Sequence, residues 1–109
     1  MWFEPNVFPD EIGVPIGEGD LGGKVFPVGF QTPPGGEIGS PNHVLNDHTY
    51  CCQLTMSMCA TGEPRMDKAE ACYKWHEDRL GQRTEDAKRL GVPFALTEFG
   101  ACLTEGPCT

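Results

Sequence analysis

Near the end of the chain, Pro93-Phe94-Ala95-Leu96-Thr97-Glu98-Phe99-Gly100 is an apolar run of strand type that closes on a carboxylate and a glycine. Burying a lone carboxylate costs several kcal/mol, roughly, unless something pairs with it. A charge that terminates a buried strand is therefore poorly explained by packing. The carboxyl ends of strands in an α/β barrel are where catalytic groups collect. Glu98 is the first candidate for chemistry, as a nucleophile or a general base. A second polar row lies upstream, in His43-Val44-Leu45-Asn46-Asp47-His48-Thr49-Tyr50. Strand alternation places Asn46, His48 and Tyr50 on one face. If the two strands pair, a Tyr50 hydroxyl donating to Glu98 keeps that carboxylate charged and fixes its rotamer. His48 is then placed to bond a substrate hydroxyl. The combination suits sugar chemistry, where a carboxylate attacks or stabilises an oxocarbenium-like centre. A purely structural account instead pairs Glu98 with an arginine and makes His48 a satisfied core histidine. Of the other carboxylates, Glu4 ends a strand fragment and could face the same interior. Glu63 sits in a cysteine loop and reads as a turn residue.

These residues need elements to hold them. Met1-Trp2-Phe3 reads as the tail of a strand ending at Glu4-Pro5. Residues 5–41 read as mostly loop, rich in Gly and Pro, with Val25–Phe30 a short extended piece that Pro27 demotes from a strand. Long loops of this kind are usually functional, as lids or binding loops. Residues 43–50 form the second strand, and residues 51–65 a cysteine-bearing loop. Asp67, with Glu70 three residues on, starts a helix by a variant of the capping box. It runs to about Leu90, where Gly91 caps it and Pro93 prevents continuation. Its apolar stripe is Cys72, Tyr73, Trp75, His76, Leu80, Ala87 and Leu90. Glu77, Asp78, Arg79, Gln82, Arg83, Glu85, Asp86, Lys88 and Arg89 cover the rest. Residues 94–99 form the third strand. Residues 43–99 are then a strand-loop-helix-strand unit of the α/β class, which implies a parallel pair.

The 109 residues suffice for one ordinary domain at most. A formal net charge of -8 without a basic cluster argues against nucleic acid as a partner. It argues equally against a polybasic membrane patch. No stretch approaches the roughly 20 apolar residues of a membrane span. Six cysteines (Cys51, Cys52, Cys59, Cys72, Cys102 and Cys108) favour disulfides in an oxidising compartment. Zinc is the weaker reading, because there is no Cys-x-x-Cys pair and no His pair at ligand spacing. No metal or cofactor is expected. The start of the chain carries neither the basic nor the apolar region of a signal peptide, which suggests a chain cut from a longer one.

At this point the residues resemble a known family. Leu96-Thr97-Glu98-Phe99-Gly100-Ala101-Cys102 resembles the seventh-strand motif of glycoside hydrolase family 5, a group of (β/α)8-barrel enzymes. Asp47-His48-Thr49-Tyr50-Cys51 resembles the His-x-Tyr motif at the end of its sixth strand. Phe3-Glu4-Pro5 and Gly29-Phe30-Gln31-Thr32-Pro33-Pro34-Gly35-Gly36 look like the endoglycoceramidase-related branch. The resemblance touches most of residues 2–102 and implies a partial TIM barrel, from the end of strand 5 through strand 7. It implies Glu98 as catalytic nucleophile, Tyr50 as its hydrogen-bond donor and His48 in the glycone subsite. Glu4 falls on a fifth-strand position, and with Asn46 is a substrate-binding candidate. The family's acid/base glutamate stands in Asn-Glu-Pro, and this chain has no Asn-Glu-Pro; Gly62-Glu63-Pro64 imitates it in the wrong place. The eighth-strand tryptophan is absent too. The resemblance thus implies a segment of a retaining β-glycosidase acting on glycolipid or β-glucan, in a secreted or lysosomal compartment, inactive without the remainder of its barrel. The competing expectation is a non-catalytic, disulfide-stapled secreted domain that binds carbohydrate. An apolar platform for a lipid aglycone is sought in Val25, Phe26, Val28, Phe30 and Ile38.

Overall fold

The computed structural model describes residues 1–5, 11–17, 20–50 and 69–100. In chain order the elements are β1 (Trp2–Phe3), β2 (Glu11–Gly17), β3 (Asp20–Lys24), β4 (Val44–Tyr50), α1 (Ala69–Leu90) and β5 (Phe94–Gly100). The main sheet has the order β1-β4-β5, with both pairs parallel. Strand β4 is thus central, flanked by β1 and β5, and α1 lies between β4 and β5 in the chain. This is the strand-helix-strand unit expected from residues 43–99. The cysteine-bearing segment 51–65 and the helix start at Asp67 lie outside the described residues. Residues 5–41 depart from the expected loop: β2 and β3 form a separate antiparallel pair within them. Glycine and proline at alternate places weakened the strand signal there, and register irregularities at Ile12/Val14 and Pro15/Gly17 accommodate them.

A small apolar core joins Phe3, Val28, Leu45, Ala87, Leu90 and Val92, with Phe30 and Phe94 packed against it. Phe3 meets Phe30 edge to face at 5.3 Å between centroids. The helix ends as its sequence requires. Gly91 adopts φ 67°, a left-handed conformation that favours glycine. Its N–H bonds Lys88 O at 3.1 Å, and the N–H of Val92 bonds Ala87 O at 3.0 Å. These are the paired bonds of a Schellman cap, and Ala87 and Val92 share the core beneath it. Lys88 and Arg89 in the last turn complement the helix dipole.

The face that α1 turns to the sheet is largely ionic, contrary to expectation. The sequence pattern places Arg79, Arg83 and Asp86 on the solvent face, yet all three are buried. The cause is Asp47, which points from the helix-side face of β4. Its Oδ2 accepts from Arg83 Nε at 2.6 Å. Its Oδ1 accepts from Arg79 Nη2 at 2.9 Å and from the His48 N–H at 2.8 Å. Arg83 Nη1 also donates to Asp86 Oδ2 at 3.2 Å and to Phe26 O at 2.9 Å. Charge balances within the group, and each ion finds several partners, which is the condition for burying it. Tyr73, placed by sequence on the apolar stripe, is instead exposed, whereas Trp75, Ala87 and Leu90 are buried as expected.

The same helix fastens residues 26–30 through their backbone. Arg89 donates to Phe30 O at 2.6 Å and to Val28 O at 3.1 Å. The Val28 N–H donates to Asp86 Oδ2 at 3.1 Å. Guanidinium groups thus replace the neighbouring strand that Pro27 precludes. Val28 belongs to the core rather than to an open apolar platform. His43 closes the following loop, its Nε2 donating to Pro34 O at 3.0 Å and its Nδ1 lying 2.6 Å from Ser40 Oγ.

Replacing Asp47 by Asn should remove the buried negative charge that Arg79 and Arg83 share. The expected loss is about 3–5 kcal/mol, measured by urea unfolding. A pH effect follows from His76, which packs behind β4 with its Nδ1 2.9 Å from Thr49 Oγ1. Burial first, and the positive Arg79 second, hold this imidazole below its ordinary 6.5. The unfolded chain therefore binds the proton earlier as pH falls. The stability that neutral His76 contributes is complete above about 6.5 and declines below it, towards the lower folded value. Unfolding midpoints should fall between about pH 7 and pH 5, and less so in His76→Gln.

Candidate functional site

On its other face β4 presents Asn46, His48 and Tyr50. The partner strand must supply Glu98 to the same face, and simple pairing would not do so. Leu45, Asn46 and Asp47 pair with Phe94, Ala95 and Leu96 in turn, but His48 then pairs with Glu98, skipping Thr97. Without that irregularity, His48 would oppose Thr97, and Glu98 would oppose Thr49 on the helix side. One extra residue in β5 therefore re-aims the carboxylate, a recognised use of β-bulges beside functional sites. It also leaves the Thr97 hydroxyl on this face, where it meets Asn46 and His48.

The side chains form one connected row. The Tyr50 hydroxyl donates to Glu98 Oε2. The same oxygen lies 3.6 Å from His48 Nδ1. On the far side of the imidazole, Nε2 lies 3.1 Å from Thr97 Oγ1 and 3.6 Å from Glu4 Oε1. Thr97 Oγ1 donates to Asn46 Oδ1 at 2.7 Å, and Asn46 Nδ2 donates to Glu4 Oε1. The described structure thus brings together all five residues singled out from the sequence: Glu4, Asn46, His48, Tyr50 and Glu98. It adds Thr97, whose place inside the strand motif gave no separate signal. Two carboxylates flank one imidazole at the carboxyl ends of three parallel strands.

Solvent access varies along the row. The side chains of Glu4 and Glu98 are 52% and 56% exposed, and that of His48 is 31% exposed. Asn46 is buried, with its amide nitrogen and oxygen engaged by Glu4 and Thr97. Its amide connects the end of β1, β4 and β5. Strand β5 is not the buried strand its sequence suggested. Thr97, Glu98 and Phe99 are exposed, because the described residues place no strand beyond it. The strand carboxylate that does carry the cost of burial is Asp47, on the opposite face. Among the described residues, neither an arginine partner nor a core environment accounts for Glu98, whose contacts there are a phenol and an imidazole.

Chemically, the row offers a carboxylate oxygen held by a phenolic donor, with an imidazole nitrogen beside it and open solvent in front. That suits a hydroxyl-rich ligand. Among the described residues, no group of three or more His, Cys, Asp or Glu is arranged to hold a metal ion. No helix among them is long and apolar enough to cross a membrane. Comparisons with protein-family models, with curated proteins and with solved structures gave no match.

The two strand carboxylates should respond oppositely to neutralisation. Glu98→Gln keeps an acceptor for Tyr50 in a half-exposed position, so its unfolding free energy should stay within about 1 kcal/mol of the parent. A loss as large as that expected for Asp47→Asn, in the same urea titration, would make Glu98 a structural ion instead.

Proposed function

We propose that this chain carries the nucleophile half of a retaining β-glycosidase, of the kind resembled by glycoside hydrolase family 5. The observation that supports it best is the bulge in β5, which sets Glu98 against Tyr50 and His48 on one face at the carboxyl ends of parallel strands. In this reading Glu98 attacks the anomeric carbon. The Tyr50 hydroxyl orients the attacking carboxylate and leaves its second oxygen for the sugar. His48 contacts the sugar beside it. The substrate is a glycolipid of the glycosylceramide type or a β-glucan, and the setting is a secreted or lysosomal compartment.

A second carboxyl group must protonate the leaving oxygen, at about 5–5.5 Å from the nucleophile in a retaining site. Glu4 lies across the imidazole from Glu98 and is bound to the Asn46 amide, an arrangement suited to holding the sugar. The acid is therefore assigned to a further part of the barrel. Trp2 and Phe99, on the two edge strands, are 61% and 74% exposed, which agrees with packing against additional barrel elements. A carbohydrate-binding domain without catalysis is the second reading, favoured by the same half-exposed row of polar side chains.

A leaving group that departs without a proton separates the two. A fluorinated β-glucoside carrying dinitrophenolate needs only the nucleophile: a bond forms from Glu98 to the anomeric carbon, and the electron pair of the breaking bond leaves with the phenolate. Slow covalent labelling of the chain is expected by intact mass, mapping to Glu98 and abolished in Glu98→Gln. No adduct, or an adduct that persists in Glu98→Gln, overturns the glycosidase reading and leaves the binding domain.

A further inference from the structure

The hydrogen-bond row has a direction, and that direction reaches the imidazole. Glu4 as a carboxylate only accepts, so the Asn46 atom facing it is the amide nitrogen. The Asn46 carbonyl oxygen then faces Thr97 Oγ1 at 2.7 Å. An amide oxygen only accepts, so the Thr97 hydroxyl must spend its single proton there. At 3.1 Å from the same hydroxyl oxygen lies His48 Nε2. With its proton committed, Thr97 can only accept from that nitrogen. Neutral His48 must therefore carry its proton on Nε2. Its Nδ1 is left as a bare lone pair, 3.6 Å from Glu98 Oε2.

We propose that Thr97 is a positioning residue that fixes the tautomer of His48, and so presents an unprotonated ring nitrogen beside the Glu98 carboxylate. Two acceptors side by side repel unless a donor lies between them, and a hydroxyl group of a ligand is such a donor. Thr97 lies on the site face, and the bulge in β5 sets Glu98 on that face beside it. The tautomer follows from the geometry alone. That the incoming donor is a sugar hydroxyl rests on the glycosidase reading.

The test is nitrogen–proton correlation NMR of the His48 ring in the whole chain, at a pH where the imidazole is neutral. The expected spectrum shows a protonated Nε2 and an unprotonated Nδ1. Thr97→Val removes the acceptor for Nε2–H and should shift the ratio towards the Nδ1–H form, which Glu98 can accept. The expected change is about fivefold, the ratio set by one neutral hydrogen bond. Thr97→Ser keeps the hydroxyl and should restore the parent spectrum. Thr97 is exposed, and the parent and Thr97→Ser spectra are informative even if the valine variant folds poorly. An Nδ1–H imidazole in the parent, or an unchanged ratio in a folded Thr97→Val, overturns the proposal. If the tautomer behaves as expected while the fluorinated glycoside leaves Glu98 unlabelled, the glycosidase reading fails and the role of Thr97 stands.

Discussion

Asp47 is the residue on which the rest of this architecture depends. It sits in the central strand, points to the helix side and accepts from Arg79, Arg83 and the neighbouring His48 amide. Through Arg83 the group extends to Asp86 and Phe26, and Asp86 in turn holds the Val28 amide. One carboxylate thus couples the sheet, the helix and the segment before the sheet. A buried ionic group of this kind contributes little net stability over an apolar equivalent, but it has strict geometric demands. Helix rotation or sliding by one residue would leave several charges without partners. The apolar core is small, and it could tolerate such slippage far more easily.

Because β4 alternates, the two faces of that strand divide the work. Leu45, Asp47 and Thr49 face inward, where Asp47 and Thr49 meet the helix, and Asn46, His48 and Tyr50 form the candidate site. Arg79 Nε also donates to the His48 carbonyl oxygen at 2.9 Å. The backbone that carries the site histidine is therefore held from behind by the same arginine that binds Asp47. A rigid scaffold beneath exposed polar side chains is what preorganised chemistry requires.

Much of this was legible in the sequence where the signal was local. Gly91 and Pro93 marked the helix end because only certain residues adopt those backbone conformations. The shared face of Asn46, His48 and Tyr50 followed from strand periodicity. The burial of Arg79 and Arg83 was not legible, because their partner Asp47 lies more than thirty residues away and charge alone favours solvent; Asp86 is buried with them through Arg83 and the Val28 amide. The bulge was equally hidden: strict alternation would have sent Glu98 to the wrong face, and nothing in Leu96-Thr97-Glu98 announces an extra residue. The β2–β3 pair was masked by its glycines and Pro15, which strand propensity disfavours. Thr97 was passed over because its importance comes from the proton it must give away, a property that appears only once its neighbours are known.

Residues 26–30 are gripped by their carbonyl oxygens as well as by the side chains of Val28 and Phe30. Arg83 and Arg89 bind backbone oxygens, so the exposed positions Pro27 and Gly29 carry none of that grip. A segment anchored in this way can drift in side-chain identity while keeping its path, so the outer surface of this loop is open to evolutionary revision at little cost to the fold. Ligand preference could diverge there between related chains while the charged anchor behind it stays the same.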